Sequence, residues 1–160
     1  MNYKMIMRKS EYLPAIINLF AAAVIMIISF SGYFKFSILP VNAKLIGIII
    51  VYIGIGIFIW AWFYLKRAIA GMIQPRLNNL VTNGPYKYCR HPVYFGMTIS
   101  FIGMAFALRS WLGLLAVLII FLPSEIYRAK LEEKSLSEKF GEDWTTYKNN
   151  TSFFIPIKRK

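Results

Sequence analysis

Leu45–Leu65 reads LIGIIIVYIGIGIFIWAWFYL, 21 residues without a charged side chain. A helix needs about 20 apolar residues to cross a bilayer's hydrocarbon core, and this stretch has that length. It ends in Trp60, Trp62 and Tyr64, the residue types that gather at a membrane–water boundary. Three further uncharged runs lie outward from it, of 23 residues at 12–34, 17 at 92–108 and 15 at 110–124. The pattern predicts an all-α, multi-pass integral membrane protein of about four transmembrane helices, at about 13–34, 41–65, 92–108 and 110–127. A C-terminal cytoplasmic or interfacial helix follows, and residues 1–160 form one membrane domain. The last two spans are short and form a hairpin turning at Arg109-Ser110. At about 1.5 Å per residue the 15-residue run covers only about 22 Å. The fourth helix must therefore continue past Pro123 into Glu125 and Arg128, with those charges facing protein or water.

The formal net charge is +12, from 19 Lys and Arg against 7 Asp and Glu. Four spans with both termini on one side would place sixteen of those cations on that side. The other side would hold Lys35, Lys44 and Arg109 alone. Such asymmetry puts both termini in the cytoplasm, and the cations serve topology and anionic headgroups rather than nucleic acid. No basic segment alternates with aromatics on a soluble surface. One cysteine and one histidine rule out a Cys/His metal cluster and an intramolecular disulfide. Lys4, Arg8 and Lys9 precede the first apolar run, but its length fits a retained span rather than a signal peptide.

Turn residues Gly71, Pro75 and Asn83-Gly84-Pro85 mark the segment 66–90 as an ordered, non-helical connection. Pro92 suits the first turn of the third span, where a missing N–H has no partner to lose. Gly96, Ser100, Gly103 and Ala107 then recur at helical spacing, a small-residue stripe against which another helix can pack closely. From Ser124 to Phe140 the sequence is a charged helix that Gly141 can stop. Glu125, Arg128 and Glu132 share one face of it. Trp144, Tyr147, Phe153 and Phe154, around Pro156, make a tail able to lie along the interface and lid a site.

Chemistry concentrates at one membrane boundary. Leu80-Val81-Thr82-Asn83-Gly84-Pro85-Tyr86-Lys87-Tyr88-Cys89-Arg90-His91-Pro92-Val93-Tyr94-Phe95-Gly96 holds the only histidine, and Arg128 with Glu132-Glu133 follows some forty residues later. These residues, with Leu136, Phe140-Gly141, Tyr147 and Pro156, resemble the isoprenylcysteine carboxyl methyltransferases and their membrane methyltransferase relatives, which include phospholipid methyltransferases. The resemblance covers about residues 71–157, with cofactor-site segments at 71–96 and 124–157. It implies S-adenosyl-L-methionine as cofactor and a lipid or prenylated acceptor entering from the membrane. By that match Leu80 and Val81 line the cofactor pocket and Tyr86 contacts the cofactor. His91, Pro92, Val93 and Tyr94 shape its methionine and sugar end, Glu132 faces its ammonium, and Arg128 faces the acceptor.

These residue types suit methyl transfer, an in-line displacement in which positioning and charge placement matter most. The cofactor's ammonium needs an anion, and its carboxylate needs a donor from His91, Arg90 or backbone N–H groups. A carboxylate acceptor is already ionised at neutral pH and needs an orienting cation, for which the planar fork of Arg128 is suited. An amine acceptor would have to lose a proton, to Glu132 or His91. The expectation is carboxyl O-methylation of an isoprenoid or prenylcysteine-type acceptor. The alternatives are phospholipid N-methylation, an NADPH-dependent sterol-type reductase, which shares an Arg-His-Pro-x-Tyr segment, and a non-catalytic lipid-binding protein. Tyr88 reads as an interfacial aromatic and Cys89 as a small buried residue. Glu133 reads as solvated or structural, since two adjacent helix residues cannot both face one pocket.

Overall fold

A computed structural model describes residues 16, 20, 23, 24, 26, 27, 42–69 and 80–156. The expected first span, 13–34, lies outside the described residues except at the six isolated positions, each helical. The connection at 70–79 and the tail end at 157–160 also lie outside them. The described residues form helices: α1 (Asn42–Ile69), a 3₁₀ turn (Gly84–Lys87), α2 (Pro92–Ala107), α3 (Trp111–Ala116), a π turn (Val117–Phe121) and α4 (Leu122–Asn150). Among them extended pairing is confined to one isolated bridge, between Cys89 and Ser152.

Among the described residues, two helical stretches are long and apolar enough to cross a membrane, Asn42–Leu65 and the continuous run Trp111–Asn150. The latter is apolar only at its start and turns charged from Glu125 onward. At 16 residues, α2 is apolar but shorter than a full span. Only 17% of the apolar stretch of α1 is buried within the protein, and Ile49, Tyr52, Ile53 and Ile59 stand exposed. A water-soluble surface rarely leaves so much contiguous apolar area open; against acyl chains the arrangement costs nothing.

Packing divides the chain into two compact units, Met1–Val51 with Phe101–Lys130, and Tyr52–Ser100 with Leu131–Lys160. In the first, a Cβ on Gly103 would lie 2.6 Å from the Val51 nitrogen and 2.9 Å from the Gly47 carbonyl oxygen. The small-residue stripe of α2 therefore does what its spacing predicts and admits α1 to backbone contact. The hairpin turn at Arg109-Ser110 closes α2 by two reversed bonds, from Arg109 N–H to Phe106 O at 3.0 Å and from Ser110 N–H to Ala105 O at 2.8 Å. This pattern requires one left-handed residue, and Arg109 adopts it at φ 55°. Ser110 then caps α3, its hydroxyl accepting from Gly113 N–H at 3.0 Å.

The π turn has a covalent cause two residues further on. Pro123 offers no N–H, and its ring would strike the carbonyl one α-turn earlier. Widening the preceding turn, with Leu122 N–H bonded to Val117 O, lets the helix pass the proline unbroken. Glu125, one turn beyond, is fully buried, so this charge faces protein, one of the two settings expected for it.

In the second unit Gly96 does for α2 what Gly103 does in the first. A Cβ there would sit 2.7 Å from the Phe58 nitrogen and 2.9 Å from the Gly54 carbonyl oxygen. Gly84 is required twice over: its φ is 62°, and a Cβ would lie 2.6 Å from the Tyr64 ring. That ring therefore seats the 3₁₀ turn against the end of α1. Gly141 (φ 52°, ψ −115°) breaks α4 as its sequence position predicts, and a second helical stretch runs on to Asn150. Trp144 on that stretch is buried.

Candidate functional site

Pro92 opens α2 and is fully buried. This places Arg90 and His91 in the last turn before the helix, where both are buried. Glu132 and Glu133 reach them from α4. The Arg90 Nε lies 2.7 Å from Glu133 Oε1, and His91 Nε2 lies 3.3 Å from the same oxygen. Lys148 Nζ lies 3.4 Å from Glu133 Oε2. On the other side of the ring, His91 Nδ1 lies 3.8 Å from Glu132 Oε2, to which the Tyr94 hydroxyl donates at 3.1 Å. The sole histidine thus lies between two consecutive carboxylates, hydrogen-bonded to Glu133 and 3.8 Å from Glu132.

This arrangement decides between the two readings of Glu133, solvated or structural, in favour of the second. Glu133 is not solvated: its side chain is 10% exposed, against 46% for Glu132. Adjacent helix residues point about 100° apart, so they cannot share one pocket wall, but they can grip opposite edges of one imidazole. Burial alone would raise the Glu133 pKa. Hydrogen bonds from His91 and Arg90, with their positive charge, outweigh it and hold the carboxyl down at about 2. Glu133 is therefore an ionised internal anchor.

Arg90 is committed to the interior. Beyond Glu133 its Nη1 donates to the carbonyls of Lys148, at 2.9 Å, and of Thr151. Like the buried His91, which faces Glu132 and Glu133, it is turned to partners within the protein rather than to a ligand carboxylate. The tail folds over the same residues. Arg90 N–H donates to Ser152 O at 2.9 Å, and the Ser152 hydroxyl donates to Tyr88 O at 2.7 Å. Phe153 meets the His91 ring edge to face at 5.1 Å. The Tyr147 hydroxyl donates to Tyr86 O at 2.7 Å. Burial raises the hydroxyl pKa of Tyr86 and of Tyr147, so both remain neutral donors. Burial likewise pushes the Cys89 thiol up to about 11, which leaves it protonated and unreactive.

Of the residues singled out from sequence, Tyr86, His91, Pro92, Val93, Tyr94 and Glu132 lie in this unit, as do the half-buried Leu80 and Val81. Their donor set suits an amino-acid end. One carboxylate is open to solvent and backed by a phenol and an imidazole, beside a second carboxylate already neutralised. Arg128 belongs to the first unit, half-buried, four residues before Glu132 in the α4 sequence. Sequence reasoning undervalued Glu133 and the Arg90–tail contacts. The Glu-Glu doublet itself was the available signal for the first, and nothing local signals the second.

A sequence model of the phospholipid methyltransferase family matches residues 43–143, well over half of the chain. The chain belongs to that family. Two curated relatives agree at modest identity. Methanethiol S-methyltransferase 1 of Bradyrhizobium diazoefficiens is 34% identical over 74 residues, 46% of this chain and 25% of the relative. Protein-S-isoprenylcysteine O-methyltransferase of Saccharomyces cerevisiae is 33% identical over 78 residues, 49% of this chain and 33% of the relative. The match thus spans about a quarter to a third of each relative. Within the family match fall Arg90, His91, Tyr94, Glu132 and Glu133; Tyr147, Lys148 and the tail from Thr151 lie beyond its end.

Proposed function

We propose that this phospholipid methyltransferase family member is an S-adenosylmethionine-dependent enzyme methylating a lipid-like acceptor at the membrane interface, by carboxyl O-methylation of an isoprenoid or prenylcysteine-type carboxylate. The observation that carries the cofactor reading is the asymmetry of the two glutamates. Glu133 is buried and neutralised by Arg90, His91 and Lys148, whereas Glu132 is open and carries only Tyr94 and a more distant imidazole edge. Glu132 would hold the cofactor's ammonium, and His91, Tyr94 and Tyr86 would surround its amino-acid end. Bound there, the cofactor supplies an electrophilic methyl on a positively charged sulfur. The chain's own residues orient the reactants and exclude water. In the four-span topology expected from sequence, the site faces the cytoplasm, on the side rich in Lys and Arg.

The acceptor reading rests on Arg128. A carboxylate needs no base, only a cation that aligns it. Arg128→Ala should raise the acceptor KM at least about tenfold, the loss of one charge-assisted contact, while cofactor affinity stays put. An unchanged acceptor KM would remove Arg128 from that role. The family's description, phospholipid methyltransferase, supports a second reading, a phospholipid acceptor, which the sequence reading takes as methylated on nitrogen. Methyl-labelled cofactor separates the two: an ester product releases its label in base and an N-methyl product retains it.

The cofactor itself is tested by thermal denaturation of the detergent-purified protein. S-adenosylhomocysteine at a hundred times its Kd should stabilise the fold by about 2.7 kcal/mol, since it binds only the folded state. NADPH should leave the midpoint unchanged. Stabilisation by NADPH instead would point to the reductase reading, and stabilisation by neither to a lipid-binding protein.

A further inference from the structure

His91 lies between two carboxylates, with Nε2 hydrogen-bonded to Glu133 at 3.3 Å and Nδ1 3.8 Å from Glu132. The Cβ–Cγ bond and the Nε2 contact lie close to one line through the ring, and at 3.8 Å the Nδ1 contact is too long for a hydrogen bond to stop the ring turning about that line. Packing against the ring is what fixes the tilt. Tyr94 stacks near-parallel to it, with centroids 5.7 Å apart and planes 19° apart. Phe153 meets it at 5.1 Å and 65°. Tyr94 comes from the first turn of α2, inside the family match. Phe153 comes from the tail, ten residues past the match's end at residue 143.

The tail reaches the ring because Arg90 binds it there. The backbone N–H of Arg90 takes Ser152 O, and its guanidinium takes the carbonyls of Lys148 and Thr151. That guanidinium also lies 5.6 Å from the Phe153 ring centroid, within the range of a cation–π contact. One arginine therefore neutralises Glu133 and holds the segment that covers His91. The ionic cluster and the tail form a single packing unit, with Phe153 as its apolar closure.

We propose that Phe153 is a positioning residue, acting through His91: it fixes the tilt of the imidazole and thereby the affinity of the site for the amino-acid end of its ligand. This rests on the cofactor reading given above. The chain's single histidine makes the test direct. Protein labelled with 13C and 15N only in histidine gives one set of ring resonances, which report the ring's surroundings independently of ligand. Phe153→Ala removes the Phe153 ring current and so moves those resonances at any tilt; the tilt is read from the nuclear Overhauser contact between the His91 and Tyr94 rings, which should change in the ligand-free variant. Phe153→Ala should also weaken S-adenosylhomocysteine binding roughly three- to tenfold, the fold-change corresponding to one aromatic pair. Phe153→Leu, which keeps apolar bulk and protects the fold, should change that contact too, and Phe153→Tyr should restore both the contact and the affinity. Wild-type affinity in Phe153→Ala and Phe153→Leu would overturn the proposal, whether or not the resonances move. If the wild type itself fails to bind S-adenosylhomocysteine, the cofactor reading falls, a failure distinct from one seen in the variants alone.

Discussion

Glu133→Ala should destabilise the protein by about 3–5 kcal/mol, the cost of removing one partner from a buried ion pair. The substitution strands Arg90, 8% exposed, with no carboxylate to neutralise it. It also strips His91 Nε2 of its contact and loosens the tail that Arg90 holds. Chemical denaturation in detergent micelles measures this; a loss below about 1 kcal/mol would mean that the cluster contributes little to the fold. Glu133→Gln should be milder, because an amide keeps the shape and part of the hydrogen bonding.

The same residue sets an acid limit. Its carboxyl is held at about 2 in the folded protein, against about 4.3 in an unfolded chain. Its ionised form therefore favours folding at all pH values above about 4.3, by an amount on the order of 3 kcal/mol. That contribution is lost as pH falls from about 4.3 through 2. Wild-type stability should decline across that window, and Glu133→Gln should flatten the decline. Equal slopes for the two proteins would remove Glu133 as its source.

The second large effect belongs to the neighbouring carboxylate and has the opposite character. Glu132→Ala should weaken S-adenosylhomocysteine binding by roughly 10- to 100-fold, the worth of one charge-assisted contact to an ammonium. Its effect on stability should stay within about 0.5 kcal/mol, as for most exposed positions, because the Tyr94 hydroxyl it leaves behind can bond to water. Calorimetric titration beside a denaturation curve separates affinity from folding. Affinity equal to wild type would move the ammonium site away from Glu132. Two adjacent residues of one type would then differ completely, one needed to fold and one needed to bind.

That division could not be read locally. In sequence, Glu132 and Glu133 are a doublet on a charged helix, and helical geometry says only that they point apart. Which of them is buried depends on the cations Arg90 and Lys148 and on a hydrogen bond to His91, between 15 and 43 residues away. The role of Arg90 was hidden for the same reason. Its partners, the carbonyls of Lys148 and Thr151, are backbone atoms 58 and 61 residues further on, which no side-chain pattern announces. The π turn at Val117–Phe121 is intermediate: Pro123 signals that the helix must adjust, but not whether it kinks, breaks or widens.

By itself the sequence determined the apolar helices, the turn at Arg109-Ser110, the small-residue stripe from Gly96 to Ala107, the break at Gly141 and the family motif around His91. Each follows from composition, spacing or backbone constraint within a few residues, and such short-range terms leave little choice. Only the tertiary structure decided that Glu133 is an internal anchor, that Glu132 is the open carboxylate, and that the tail covers the histidine. Those outcomes depend on which buried charge finds which partner, and in a low-dielectric interior that pairing is fixed by the whole fold.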